Sequence, residues 1–290
     1  MLFERAVPVF ADIERKTFGL DPEDVKEKIT GKTKAIVPVH YGGGPCLIRE
    51  LKEVADDYNL ALIEDAAESF GASIGSEKVG TFGDSAMLSF CQNKVITTGD
   101  GGAIVTDSSD TYEKLKLLRS HGRLEPSNYF SSSEIADYVS LGYNYRMSDI
   151  TAALGIAQLG KADKIIEMRR RNVAVFNDAL SKVDHVVTPQ NLDNYYPVYQ
   201  LYTIMVKSGR ETRDRLSKYL VDNGISTKVY FDPIHLTYFY KQVLGYKTQL
   251  PVTEDVAGRV LTLPMYPTLT VEEIKYMAKK VEAFFERDGN

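Results

Sequence analysis

The sequence predicts an α/β protein, with a mostly parallel sheet in a large domain over residues 1–165 and a smaller α+β domain over residues 166–290. In the first half, short apolar runs alternate with helical patterns, which is typical of a parallel sheet covered by helices on both faces. After Arg146 this alternation gives way to a long, Ala-rich helical stretch. The change in pattern indicates that a second structural unit follows the sheet.

Apolar runs of strand length define the large domain. We predict its strands at residues 6–10, 34–40, 60–65, 86–90 and 101–107. The last four are near-continuous apolar runs, as expected of parallel strands buried on both faces. Between the first two, Asp21 and Pro22 suit the N-cap and the first position of a helix. A second helix follows Pro45, and its predicted apolar face contains Leu47, Leu51, Val54, Ala55 and Tyr58.

The C-terminal domain is predicted to contain both helices and strands. Residues 148–182 predict two helices, or one helix broken near Gly160, and a strand follows at residues 195–206. The last helix opens with Thr270 and Glu273 at the spacing of a capping box. Its predicted buried stripe contains Ile274, Met277, Ala278, Val281 and Phe285.

Composition excludes several classes of protein. The 290 residues are 43% hydrophobic and carry a net charge of −5, which argues against general binding to nucleic acid or to an anionic membrane. Two cysteines, Cys46 and Cys91, form neither a disulfide framework nor a metal-ligand spacing, so no metal is expected. The sequence has no secretion signal and no apolar run near the roughly 18–20 residues of a membrane span. We therefore predict a cytoplasmic protein.

Three residues that could carry chemistry follow predicted strands. Asp65 ends one strand, Ser89 lies at the end of the next, and Lys94 follows in a loop rich in Gly and Thr. Ligands of open parallel sheets bind beyond these carboxyl ends. Taken singly, such a lysine is more often a solvated surface residue, and such an aspartate more often caps a turn. Together, an amine and a carboxylate are the minimal set for pyridoxal 5'-phosphate (PLP), which needs the first for covalent attachment and the second for its ring nitrogen.

The stretch IEDAAESFGASIGSEKVGTFGDSAMLSFCQNKVITTGDGGAIVTD, residues 63–107, closely resembles the DegT/DnrJ/EryC1/StrS family of sugar aminotransferases. Four shorter stretches are also similar to that family, at residues 40–46, 121–123, 142–155 and 263–270. The resemblance implies the PLP-dependent, aspartate-aminotransferase-like fold (fold type I). It also implies homodimers with two active sites at the subunit interface, and transfer of an amino group, usually from L-glutamate, to a nucleotide-linked keto-sugar.

The resemblance assigns a role to each of five residues. Lys94 becomes the lysine that forms the Schiff base with PLP, and Asp65 becomes the partner of the pyridine nitrogen. Glu68 takes the place of a family glutamine or glutamate near the cofactor's phenolic oxygen or the substrate. Ser89 would bind the cofactor phosphate, and Asn144 would reach the phosphate in the other subunit.

Three further residues each keep two interpretations. His235 resembles a family position near the nucleotide-sugar pocket, or it is a structural residue. Arg146 faces either the substrate or the dimer contact. His40 either lines the cofactor or is a structural histidine whose ring nitrogens are both bonded within the protein.

The chain departs from the family pattern at its beginning. Family members have several tens of residues before the point equivalent to Met1, and these supply a phosphate-binding turn, a ring that stacks on the pyridine and an arm over the partner. We expect this chain to lack those elements and to bind PLP more weakly, because a helix N-terminus is a favourable phosphate site.

Three functions compete for this sequence. The first is a sugar aminotransferase that uses Lys94 and PLP. The second is a family member that dehydrates or deoxygenates sugars, but such relatives usually have histidine in place of the lysine. The third is a truncated, catalytically incompetent or regulatory PLP-family protein. The visible absorbance of protein-bound PLP would separate the first two from the third.

Overall fold

The structure, a computed structural model, describes residues 1–124 and 137–288. The helices in this part of the chain are α1 (Pro22–Lys28), α2 (Ile48–Asp57), α3 (Ser109–Arg119), α4 (Asp149–Leu159), α5 (Ala162–Leu180), α6 (Arg210–Asp222), α7 (Pro251–Arg259) and α8 (Val271–Asp288). The strands are β1 (Ala35–Ile36), β2 (Ala61–Asp65), β3 (Ser73–Ile74), β4 (Glu77–Lys78), β5 (Ser85–Ser89), β6 (Gly102–Val105), β7 (Val186–Val187), β8 (Tyr195–Tyr196), β9 (Tyr202–Val206) and β10 (Val260–Leu263). None of the described helices is both long enough and apolar enough to cross a membrane.

The first half of the chain forms a four-stranded sheet in the order β1-β2-β5-β6. Strands β1, β2 and β5 are parallel, so the prediction of a mostly parallel sheet is confirmed. The strand predicted at residues 101–107 is present as β6, but its expected buried, parallel setting is wrong, because β6 runs antiparallel to β5 and Ile104 is 55% exposed. A parallel pair needs a crossover of a dozen or more residues, usually a helix. The loop between Ser89 and Gly102 contains no helix and folds straight back.

Two other predicted strands are shorter than expected or absent. Residues 6–10 form no strand, and Val7 and Val9 are 78% and 66% exposed. Of residues 34–40, only Ala35–Ile36 pair as a strand, with one further bridge from Val39. Both segments contain a proline, which lacks the N–H that a strand ladder requires.

The two helices predicted after Asp21 and Pro45 are present as α1 and α2. The side chain of Asp21 accepts a hydrogen bond from the backbone of Glu23 and caps α1. The apolar face of α2 is buried, but Tyr58 is 49% exposed because it lies one residue beyond the helix. Ile48 is fully buried on that face. The core of this region therefore includes Leu51, Val54 and Ala55 of the predicted face, while Leu47 at the N-cap is only partly buried.

The second half forms an antiparallel sheet, β10-β9-β7, whose core includes residues of α5, α6 and α8. The five residues of the predicted α8 stripe are all buried. The capping box is present, since the Thr270 backbone N–H donates to Glu273 at 2.8 Å and the Thr270 hydroxyl accepts from the Glu273 backbone at 3.2 Å. The predicted break near Gly160 is confirmed by the end of α4 and the start of α5. Residue 165 lies inside α5, and the domain division there stays a prediction.

Asp12 links an early part of the chain to the start of α7. Its carboxylate accepts hydrogen bonds from the Val252 and Thr253 backbone N–H groups at 2.9 and 2.8 Å, at the start of α7. The Thr253 hydroxyl donates to the same carboxylate at 2.6 Å. Helix N-termini have N–H groups without partners inside the helix. Asp12 therefore acts as a cap for α7 from a distant part of the sequence.

Candidate active site

Four of the predicted site residues lie at or just beyond the carboxyl ends of neighbouring strands. Asp65 is the last residue of β2 and pairs with Met87 of β5. Ser89 is the last residue of β5, and Glu68 and Lys94 lie in the loops that follow the two strands. Because β2 and β5 are parallel, their ends meet at the same edge of the sheet. The sheet topology therefore gathers these residues on one side of the molecule.

The loop that carries Lys94 is held in shape by hydrogen bonds between its own backbone groups. The Lys94 backbone N–H donates to the carbonyl of Cys91 at 3.1 Å, which forms a turn. The Thr98 backbone N–H donates to the carbonyl of Phe90 at 2.9 Å and closes the loop. The next two residues, Val95 and Ile96, are buried at 4% and 3% exposure. These contacts fix the position from which the lysine side chain extends.

Lys94 and Glu68 form an ion pair, with Nζ 3.4 Å from Oε1 and side chains only 15% and 14% exposed. The other carboxylate oxygen of Glu68 accepts a hydrogen bond from the Gly42 backbone N–H at 2.9 Å. The turn that carries Glu68 is held by Ser69, whose hydroxyl donates to the carbonyl of His40 at 2.7 Å. Two loops of the sheet therefore place a carboxylate beside the amine.

Asp65 and Ser89 have hydrogen-bonding capacity left for a ligand. Asp65 accepts one hydrogen bond, at Oδ1 from the Ala67 backbone N–H, and its Oδ2 has no partner among the described residues. The Ser89 hydroxyl accepts from the Cys91 backbone N–H at 3.3 Å, which leaves its proton available for donation. A primary amine, an uncommitted carboxylate oxygen and a hydroxyl donor at one sheet edge fit the amine-reactive, ring-nitrogen and phosphate ends of PLP.

Sequence reasoning missed Glu64, which is fully buried one residue before Asp65. Its carboxylate accepts hydrogen bonds from His40 Nε2 at 2.9 Å and from the backbone N–H groups of Gly80, Phe82 and Gly83, each at 2.8 Å. Burial alone would raise the pKa of Glu64, but these hydrogen bonds outweigh it and leave the pKa lowered. A charged residue inside a buried strand is rare enough to have been a signal.

His40 is the structural partner of Glu64. Its Nδ1 accepts a hydrogen bond from the Cys46 backbone N–H at 3.1 Å. In a neutral ring the proton therefore sits on Nε2 and is donated to Glu64. Both ring nitrogens are used and the residue is fully buried, so the geometry favours the structural interpretation of His40.

The remaining candidates lie elsewhere. His235 is 3% exposed and its Nε2 is bonded to Glu254 at 3.0 Å, with Phe10 beside its ring. Arg146 donates to the Ser120 hydroxyl at 3.1 Å. Asn144 is exposed and its backbone bridges to Ser120. Within the described chain, none of the three contacts the Lys94–Glu68 pair.

Comparison with known proteins gives consistent results. The model of the DegT/DnrJ/EryC1/StrS aminotransferase family matches residues 2–282. GDP-perosamine synthase of Vibrio cholerae is 34% identical over 280 residues, which cover 97% of this chain and 74% of that protein. The pleiotropic regulatory protein of Geobacillus stearothermophilus is 37% identical over 285 residues, which cover 97% of this chain and 73% of that protein.

A solved structure extends the similarity to the fold. Helicobacter pylori PseC, an aminotransferase involved in the biosynthesis of pseudoaminic acid, superposes with a TM-score of 0.92 at 28% identity. The match covers 99% of this chain and 76% of PseC. The predicted aminotransferase fold is confirmed, and the chain belongs to the DegT/DnrJ/EryC1/StrS aminotransferase family.

Proposed function

We propose that this chain is a PLP-dependent aminotransferase that moves an amino group from an amino acid, L-glutamate, to the keto group of a nucleotide-linked sugar. The observation that carries the proposal is the Lys94 amine, held 3.4 Å from Glu68 at the ends of β2 and β5. The substrate class follows the relatives, among them GDP-perosamine synthase. When bound, PLP would supply an electron-withdrawing ring that stabilises the electron pair left on the carbon bearing the amino group when its proton is removed.

The side chains divide the work by their chemistry. Lys94 Nζ is the nucleophile for covalent attachment, and it exchanges protons with the carboxylate of Glu68 beside it. Asp65 Oδ2 would accept a hydrogen bond from the ring nitrogen and keep that nitrogen protonated. The hydroxyl of Ser89 would donate to the phosphate. Each role uses an atom that the protein leaves at least partly uncommitted.

Lys94 is tested by Lys94→Ala with Lys78→Ala as the matched control, because Lys78 is exposed and, among the described residues, its amine donates to the carbonyl of Gly71 alone. Lys94→Ala should lose both the visible absorbance of bound PLP and transfer from L-glutamate, while Lys78→Ala keeps both. Transfer at the wild-type rate in Lys94→Ala would refute the assignment. Wild-type protein that binds PLP but transfers no amino group would favour the alternative of a regulatory protein. One relative is named a pleiotropic regulatory protein.

We also propose that the enzyme is a homodimer in which Asn144 serves the partner subunit's cofactor. The support is an exposed apolar surface around Asn144. Helix α4 buries none of its residues, and Ile150 and Ile156 are 85% and 73% exposed. Leu141 is 92% exposed. Apolar surface of this extent is typical of a protein interface.

The dimer is tested by Ile150→Asp combined with Ile156→Asp. Charges on α4 should lower the molecular mass measured by sedimentation from that of a dimer towards that of a monomer. They should also weaken PLP binding, because the proposed site is shared between subunits. Val221→Asp is the control, because Val221 is 54% exposed on α6. A dimer that survives the double substitution would contradict the proposed interface.

A further inference from the structure

Gln200 stands out because its side chain is buried and only half satisfied. The residue is 4% exposed, and its Oε1 is buried without a hydrogen-bond partner in the described chain. Its Nε2 donates to the backbone carbonyl of Asn93 at 2.5 Å. Asn93 directly precedes Lys94. A residue 107 positions later in the sequence therefore holds the loop that carries the lysine.

The backbone around Gln200 also fastens the loop that holds Glu68. The Val198 backbone N–H donates to the carbonyl of Gly43 at 2.8 Å, and the Leu201 backbone N–H donates to the carbonyl of Gly42 at 3.0 Å. A Cβ at Gly43 would lie 2.4 Å from the backbone nitrogen of Gln200, so only glycine lets the two backbone segments come this close. The backbone N–H of Gly42 in turn donates to Glu68.

One short segment therefore reaches both partners of the ion pair. The side chain of Gln200 holds the Lys94 loop, and its neighbours hold the glycine turn behind Glu68. The segment is itself anchored, because Arg169 Nη1 donates to the carbonyls of Tyr199 and Gln200 at 3.1 and 3.3 Å. Arg169 is buried, and burial lowers its pKa to about 10.

We propose that Gln200 is a positioning residue that sets the location and reactivity of Lys94 through the hydrogen bond to Asn93. The inference rests on the proposed function, in which Lys94 binds the cofactor. Among the described residues, the side chain of Gln200 donates to the backbone of Asn93, so Gln200 acts through the backbone next to the lysine. A displacement of about 1 Å in a reacting group can lower a rate by about 100-fold, so one hydrogen bond beside Lys94 is enough to matter.

Two substitutions of nearly the same length test the role. Gln200→Met removes the donor and the unpaired acceptor together. Gln200→Glu keeps the shape but places a carboxylate against the carbonyl of Asn93. If the Met variant does not fold, the Glu variant is compared with wild type in its place. Gln190→Met is the matched control, because Gln190 is exposed and, within the part of the chain that the structure describes, its side chain donates only to the carbonyl of Thr188.

Two measurements use cofactor-free protein. Hydrogen–deuterium exchange of the peptide over residues 90–98 reports the order of the loop, and reductive trapping of free pyridoxal, mapped by peptide mass spectrometry, reports the reactivity of Lys94. In both Gln200 variants we expect faster exchange in this peptide and about tenfold slower trapping at Lys94. Trapping at Lys218, a 77% exposed side chain on α6, should not change. In the loaded enzyme, kcat should fall by about 10- to 100-fold with little change in KM.

The outcomes separate this inference from the proposed function. If wild-type protein formed no pyridoxal adduct at Lys94, the proposed function would be refuted. The exchange measurement would still decide whether Gln200 orders the loop. A wild-type adduct with trapping in both Gln200 variants within twofold of wild type would overturn the positioning role alone. Equal changes in Gln190→Met would also overturn it, because the effect would not then depend on the contact with Asn93.

Discussion

Glu64 and Asp65 are consecutive residues of β2, and their side chains therefore extend from opposite faces of the sheet. On the Glu64 face, four N–H groups surround a fully buried carboxylate. On the Asp65 face, the carboxylate accepts one hydrogen bond from the described chain, and the Glu68–Lys94 ion pair belongs to the loops that follow β2 and β5.

The difference shows how one strand supports both the fold and the chemistry. A buried carboxylate whose oxygens are fully bonded stabilises the structure and has no capacity left for a ligand. A partly bonded carboxylate at the strand end can bind a group that arrives later. The state of hydrogen bonding, more than burial or residue type, separates the two roles.

Asp65→Asn should give the largest change. Asparagine keeps an oxygen for the Ala67 N–H but cannot keep a ring nitrogen protonated, so turnover should fall by about 1,000-fold. The free energy of unfolding, measured with urea in the absence of PLP, should change by less than about 0.5 kcal/mol. Wild-type turnover in the folded variant would mean that Asp65 only shapes the turn after β2.

Glu64→Gln should change stability where Asp65→Asn changes turnover. The amide presents an NH₂ group to N–H donors that now bond a carboxylate oxygen, and two unsatisfied donors should cost about 3 kcal/mol of unfolding free energy. Urea unfolding measures this, with Glu77→Gln as the control because the Glu77 side chain is 46% exposed. If the two variants were equally stable, the Glu64 network would not be a structural element.

The pH dependence gives the smallest effect. The pKa of Glu64 is lowered from its ordinary 4.5. The unfolded chain therefore takes up a proton at higher pH than the native state does, and the contribution of Glu64 to stability is lost as pH falls below 4.5 towards the native pKa. The wild type should lose up to about 1.4 kcal/mol per pH unit more than Glu64→Gln in that range. Parallel stability curves for the two proteins would contradict the shifted pKa.

The sequence predicts helices better than strand partners in this protein. The Thr270 capping box and the apolar stripe of α8 are local patterns, and both are present. The direction of β6 depends on how the loop before it folds, and no apolar run encodes that direction. Residues 6–10 have the composition of a strand, but the described chain gives them no partner strand.

The candidate site shows the same division. Lys94 and Asp65 stand at predicted strand ends, and the family resemblance gives them roles. The contact between Gln200 and Asn93 joins distant parts of the chain, and no local pattern marks it. Glu64 and His40 are recognisable as a structural pair only in the folded chain. There the Glu64 carboxylate accepts from His40 and three backbone N–H groups, and His40 accepts from the Cys46 N–H.

The cap that Asp12 provides for α7 has a consequence for how the chain is made. Its partners lie 240 and 241 residues later, so on the ribosome Asp12 emerges long before they exist. Contacts of such long range form late, because closing the loop between them loses chain entropy first. The hydrogen bonds between Asp12 and α7 therefore cannot form until α7 has been synthesised. Synthesis of α7 is then the event that lets Asp12 complete its contacts.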